Sequence, residues 1–148
     1  MRAERQGRSR KVTLGLMNFE GSWQVGRRIE NAEGPDARFE GVARFEPDGA
    51  GLVYAEEGEL QLEGQPPIRG ERRYLWRQEE DGTIAVFFDD GRDFHRFDPG
   101  AEAPGDRHHC APDIYDVTYD FSGWPEWESR WRVTGPRKDY AMVSRYRR

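Results

Sequence analysis

Apolar residues along this chain alternate with polar ones far more often than they recur at helical spacing, and turn signals interrupt the alternation every eight to twelve residues. The pattern predicts strands near 22–30, 38–46, 51–62, 69–78, 83–89, 92–97, 113–121, 127–134 and 139–147. Between them lie "AEGPD", "PDG", "GQPP", "EEDG", "DDG", "DPGAEAPGD" and "GPRKD", whose Gly, Pro and Asp supply the backbone geometry of turns. There is no internal repeat and no strand–helix alternation. Segment 99–112 is the one long connection, expected to form a lid or a surface loop. The fold class that follows is all-β: a single antiparallel up-and-down β-barrel of 8–10 strands, because closure removes the free edges a long meander would expose. A barrel of about eight strands is either filled by its own side chains or holds one small ligand.

Alternation also assigns faces. The inward rows are Trp23, Val25, Arg27 and Ile29; then Phe39, Gly41, Ala43 and Phe45; then Leu52, Tyr54, Glu56, Leu60 and Leu62. Arg72, Tyr74 and Trp76 follow, then Asp113, Tyr115, Val117, Tyr119 and Phe121, and finally Trp127, Ser129, Trp131 and Val133. In "DDGRDFHRFD" a two-residue turn at Asp90-Gly91 pairs Phe87 with Phe94 and Val86 with His95. That register turns Ile84, Val86, Phe88, His95 and Phe97 inward. It leaves Arg92 and Arg96 outside, stacked on Phe87 and Phe94 or paired across strands.

Composition adds limits. A chain of 148 residues suits one domain with a real core, and 13% aromatic residues argue against wholesale disorder although 34% are charged. No apolar run is long enough to span a membrane, and no signal-peptide core is present at the N-terminus. The single Cys110 cannot form an intrachain disulfide, so a cytoplasmic location is expected. Arginine outnumbers lysine 21 to 2, as in GC-rich bacterial genomes. Residues 1–11 carry five basic groups and one acid, which leaves 18 basic against 27 acidic in the remainder. A body this acidic repels phosphate, so no nucleic-acid partner is expected. Residues 1–16 are expected to be a disordered basic arm, removable by proteolysis, and residues 17–148 the barrel domain, as a monomer or homodimer.

Phe19-Glu20-Gly21-Ser22-Trp23 resembles the Gly-x-Trp start of the lipocalin and fatty-acid-binding (calycin) barrels. The resemblance implies a tryptophan closing one barrel end beneath an arginine of the last strand, for which Arg145 or Arg147 is the matching position. "YLW", "DGRDFHRFD", "HHCAPDIYDVTY" and "WRVTGPRKDYAMVSRYRR" are similar to motifs of an uncharacterised bacterial family of small lipocalin-like proteins. That family implies a barrel and supplies no catalytic residues.

Charged and titratable groups on the inward rows are the candidate chemistry. Burying them unpaired costs several kcal/mol each, so they must meet one another, water or a ligand. Arg27, Glu56, Arg72, Tyr74, Trp76, His95, Asp113, Tyr115 and Trp131 are the candidate ligand-binding residues. Two arginines and an aromatic lining suit a carboxylate on a ring, and the two arginines with His95 outnumber the two evident acidic partners, Glu56 and Asp113. An enzyme, an isomerase, decarboxylase or hydrolase using His95, Asp113 and Tyr115 as acid and base, is the second expectation. A structural or interaction module with a filled core is the third. No phosphate loop, GxSxG or HExxH motif occurs. His108-His109-Cys110 invites a metal, but neighbours in a strand point to opposite faces, so neither metal nor cofactor is expected. The "GPRKD" turn could hold an anion on its amides and on Arg137 and Lys138, or could be a plain hairpin turn.

Overall fold

The computed structural model describes residues 14–148. A single 3-10 turn at Leu16–Phe19 precedes ten strands: β1 Gly21–Asn31, β2 Ala37–Pro47, β3 Leu52–Leu62, β4 Ile68–Gln78, β5 Ile84–Phe88, β6 Asp93–Phe97, β7 Gly105–Cys110, β8 Asp113–Asp120, β9 Trp127–Gly135 and β10 Lys138–Arg147. Every strand pairs antiparallel with its sequence neighbour except β6 with β7, and β1 also pairs with β10. The result is an up-and-down barrel, closed by the ladder between first and last strands and left with a narrow seam between β6 and β7. There the Arg96 backbone N–H donates to the Asp106 carboxylate at 2.8 Å, a side chain standing in for a missing ladder bond. No helix among the described residues is long and apolar enough to cross a membrane.

Burial follows the predicted alternation in β1, β2, β3 and β9. Small residues shape the wall: a Cβ on Gly41 would lie 2.1 Å from the Glu57 carbonyl oxygen, so β2 and β3 approach here closer than any other residue allows. The end entered by the chain is plugged. Phe19 packs edge-on against Trp124 and Trp127 with centroids 5.1 and 5.3 Å away, and the Trp23 indole N–H donates to the Phe19 carbonyl at 2.8 Å. The loops at 32–36, 63–67 and 89–92 lie at the opposite, open end, as the alternating strand directions require.

Four expectations change. Segment 99–112 is not one long loop, since β7 occupies its second half; "GDRHHC" lacks apolar alternation, so its strand character was invisible. The β5–β6 turn has three residues, with Phe88 N–H donating to Arg92 and Gly91 at φ +89°, and a bulge between Val86 and Phe87 restores the register. Phe94 therefore turns inward beside His95, and Arg92, which is exposed like Arg96, lies over Phe88 at 5.5 Å rather than over Phe87 or Phe94. The arginine above Trp23 is Arg148, 4.0 Å from the ring, while Arg145 and Arg147 are exposed on the outer face. Finally, Leu14 and Leu16 are buried in the core, and the Leu16 N–H donates to the Gln78 side chain at 2.7 Å. The boundary at residue 17 thus moves inward along the arm; the rest of the expected arm, residues 1–13, lies outside the described residues.

Candidate functional site

Halfway along the barrel, Arg27 of β1 and Glu56 of β3 meet diagonally across β2. Arg27 stands opposite Phe39 and Glu56 opposite Ala43, so the pair spans the level of Gly41, where no side chain intervenes. The two guanidinium nitrogens donate to the two carboxylate oxygens at 2.7 and 2.8 Å, and Arg27 Nε donates to Ser144 at 2.6 Å. Tyr54 donates its hydroxyl to Glu56 and exchanges a hydrogen bond with Tyr146 at 2.8 Å. The guanidinium also lies 5.1 Å from the Phe39 ring centroid. Burial alone would raise the Glu56 pKa, but the hydrogen bonds and charge of Arg27, with the Tyr54 hydroxyl, outweigh it and hold the carboxyl below its ordinary value. Both groups are charged and fully partnered. Ser144 and Tyr146 escaped the sequence reading, although they alternate with Met142 along β10 and share its buried row.

Arg72 has a different fate. It stands directly opposite Glu56 in the β3–β4 ladder, yet the carboxylate is taken by Arg27. Among the described residues no carboxylate lies within ion-pair distance of Arg72; its guanidinium sits 5.5 Å from the Trp131 ring and makes a long 3.5 Å bond to the Tyr74 hydroxyl. Around it, toward the open end, Tyr74, Phe88, Phe94, Tyr115, Trp131 and His108 form a continuous aromatic group, with Phe94 at 4.6 Å from Phe88, 5.2 Å from Trp131 and 5.5 Å from His108.

Arg72 and Tyr74 line two spaces at once. Inside is a cavity of about 30 Å³, also bordered by Arg27, Glu56, Trp76, Phe94, His95 and Trp131. Outside, at the rim, is a cleft of about 400 Å³ walled by Arg73, Phe88 and Arg92. The acids of that cleft are committed: Asp89 pairs with Arg73 at 3.6 Å and Asp90 with Arg92 at 2.7 Å. The inner space has room for a water or two and for no ring. Seven of the nine predicted residues thus border one cavity.

His95 lies at its inner wall. Its Nε2 shares a hydrogen bond with the Tyr119 hydroxyl at 2.7 Å, and its Nδ1 is buried without a partner among the described residues. Burial pushes the imidazole pKa down to about 3, so the ring is neutral at physiological pH, and the same burial pushes the Tyr119 hydroxyl well above its ordinary value.

The other two predicted residues stand apart. Asp113 accepts from Lys138 at 3.0 Å, and Lys138 also reaches the Tyr115 hydroxyl at 3.5 Å. His95, Asp113 and Tyr115 therefore do not assemble as base, orienting acid and proton donor: the histidine's hydrogen-bonded nitrogen is spoken for by Tyr119, and the carboxylate by Lys138 across the rim. In "GPRKD" that lysine is turned to Asp113. His108, His109 and Cys110 lie on β7 with only His108 packed against the inner aromatics. Among the described residues no three His, Cys, Asp or Glu side chains are placed to hold a metal ion.

Residues 19–148 match the model of a Family of unknown function (DUF6314), and the chain belongs to that family. No curated protein matches. Among solved structures, the S-type phycobiliprotein lyase from Guillardia theta is similar in fold, with a TM-score of 0.61 and 12% identity over 91% of this chain and 93% of that one. The fold is thus the lipocalin-like barrel expected from the sequence.

Proposed function

We propose that this barrel binds a small planar anion at its open end, with the ring in the rim cleft against Tyr74 and Phe88 and the negative charge on Arg72. The observation that carries this proposal is Arg72 itself. It is an inward guanidinium on an aromatic face, with no carboxylate within ion-pair distance among the described residues, and it borders both the inner cavity and the outer cleft. A guanidinium fork suits a carboxylate, and a cleft of this size, with Tyr74 and Phe88 in a wall otherwise of Arg and Asp, is in the range of small-molecule sites. Asp113 and Tyr115 enter the proposal as rim residues that anchor Lys138, a second positive charge close to the aromatic group. The fold neighbour is a lyase of phycobiliproteins by name; at its low identity it lends this chain a barrel and leaves the ligand to be argued from the site.

Titration with benzoate, 2-naphthoate and decanoate, followed by tryptophan quenching and thermal shift, tests this. Trp131 and Trp76 should report, the aromatic acids should bind more tightly than the aliphatic one, and Arg72→Met should abolish the response. A wild-type protein that responds to none of the three overturns the proposal.

A further inference from the structure

We infer that the ligand carries, besides its anionic group, one compact oxygen acceptor such as a hydroxyl or carbonyl, and that His95 is the residue selecting for it. This rests on the binding proposed for the open end.

Three observations converge. First, the two spaces differ sharply in size. The rim cleft of about 400 Å³ can take a ring, whereas the inner cavity of about 30 Å³ takes a water or two, or one small polar group. Both are bordered by Arg72 and Tyr74, so a small substituent on a ring anchored on Arg72 is the part of the ligand placed to meet the inner cavity. Second, the inner cavity is bordered by a histidine that is 4% exposed and has one nitrogen without a hydrogen-bond partner among the described residues. An orphaned polar atom at such depth is costly unless water or a ligand meets it. Every hydrogen-bonding atom of the neighbouring Arg27–Glu56 pair is, by contrast, already engaged.

Third, the chemistry of the His95–Tyr119 pair fixes what the free nitrogen offers. An imidazole nitrogen is a better acceptor than a phenol oxygen, and a phenol O–H a better donor than an imidazole N–H. The 2.7 Å bond is therefore assigned with the Tyr119 hydroxyl donating to Nε2. The neutral ring then carries its proton on Nδ1, which becomes a lone donor. It calls for an acceptor, and in the space available that acceptor is one oxygen atom. The edge of Phe94, perpendicular to the His95 ring with centroids 4.4 Å apart, keeps the imidazole from turning away.

The test compares matched pairs of acids: benzoate with 3- and 4-hydroxybenzoate, and 2-naphthoate with 6-hydroxy-2-naphthoate. In the wild-type protein the better-placed hydroxy acid should bind about ten-fold more tightly than its parent, the effect of one added hydrogen bond at a buried site. In His95→Phe that preference should fall to within two-fold. Should His95→Phe not fold, the ¹⁵N shift of His95 Nδ1 in the wild-type protein gives the same answer: it should move with the hydroxy acid and stay with the parent. Equal binding of parent and hydroxy acids by the wild-type protein, a preference that survives in His95→Phe, or an Nδ1 shift unmoved by both acids overturns the selection by His95 and leaves Arg72 as the anion site. Absence of binding by every acid overturns both.

Discussion

Arg27 and Arg72 project from the same inward face of one sheet, and Glu56 is the nearest acid to each in the strand registers, yet the middle of the barrel and its rim treat them in opposite ways. In the middle, Arg27 has both carboxylate oxygens, a serine hydroxyl and an aromatic face. At the rim, Arg72 has Trp131 and one long bond to Tyr74. Depth explains the allocation. A fully buried guanidinium without a counter-charge costs several kcal/mol, whereas a half-buried one at the mouth keeps part of its hydration. The single carboxylate therefore stabilises the fold most where water cannot reach. The absence of a side chain at Gly41 lets it reach diagonally over β2 to Arg27 rather than straight across to Arg72. The deep pair is fully engaged within the fold; the rim arginine makes no ion pair among the described residues and is the one proposed to meet an anion.

The largest effect that could break this contrast is at Arg27. Arg27→Met leaves Glu56 buried with the Tyr54 hydroxyl and the more distant charge of Arg72 to hold it, and should cost about 3–5 kcal/mol in urea denaturation. A loss under about 1 kcal/mol would mean that water reaches the middle of the barrel, and the two arginines would then not differ in kind.

Next in size is the pH dependence set by His95, which asks how dry the inner cavity is. The imidazole has its ordinary pKa near 6.5 when unfolded and about 3 when folded. Above pH 6.5 neither state is protonated and its full contribution is present. As pH falls from 6.5 toward 3 the unfolded chain takes up the proton first, so stability is lost, by about 2 kcal/mol at pH 5. The slope of stability between pH 7 and pH 5 should be shallower in His95→Phe than in the wild type, in a window above the Glu56 titration. Parallel slopes would place His95 in contact with bulk water.

A smaller effect belongs to the closed end. Arg148 lies over Trp23 as Arg72 lies over Trp131, but it also donates to the Asn18 carbonyl at 2.6 Å. Arg148→Ala should cost about 1 kcal/mol, as expected for one cation on an indole face near the surface, and thermal melts can resolve it. Its expected cost lies between those of Arg27→Met and Arg72→Met.

Strand periodicity made much of this legible. Nine strands, the inward rows and the two arginines with Glu56 and His95 follow from alternation, because a barrel with a buried lumen imposes a strict period of two. What was lost follows from places where the period fails or competes. β7 reads as loop because its only inward side chain near the aromatics is a histidine. Phe94 was placed outside because Asp90-Gly91 signals a two-residue turn, whereas Gly91 in fact ends a three-residue one and the bulge adds a second inward residue in a row. Which arginine Glu56 would choose was not legible at all. It depends on a diagonal contact between strands that are not neighbours, and pairwise register carries no information about that.

The smallest expected effect is the most discriminating. Arg72→Met keeps the aliphatic stem that packs along the barrel wall and removes only the charged head. That head makes no ion pair among the described residues, and Glu56, which feels its charge at a distance, keeps its pair with Arg27, so folding stability should change by less than about 0.5 kcal/mol or rise slightly. Sites held for binding are the places where such neutrality is expected, since the interaction the residue is kept for is absent in the free protein. The comparison is made by denaturation of Arg72→Met beside Arg27→Met and the wild type, without ligand. A loss at Arg72 approaching that at Arg27 would show that Glu56 serves both guanidinium groups. The rim would then be a second part of the structural network, with no spare positive charge to meet an anion.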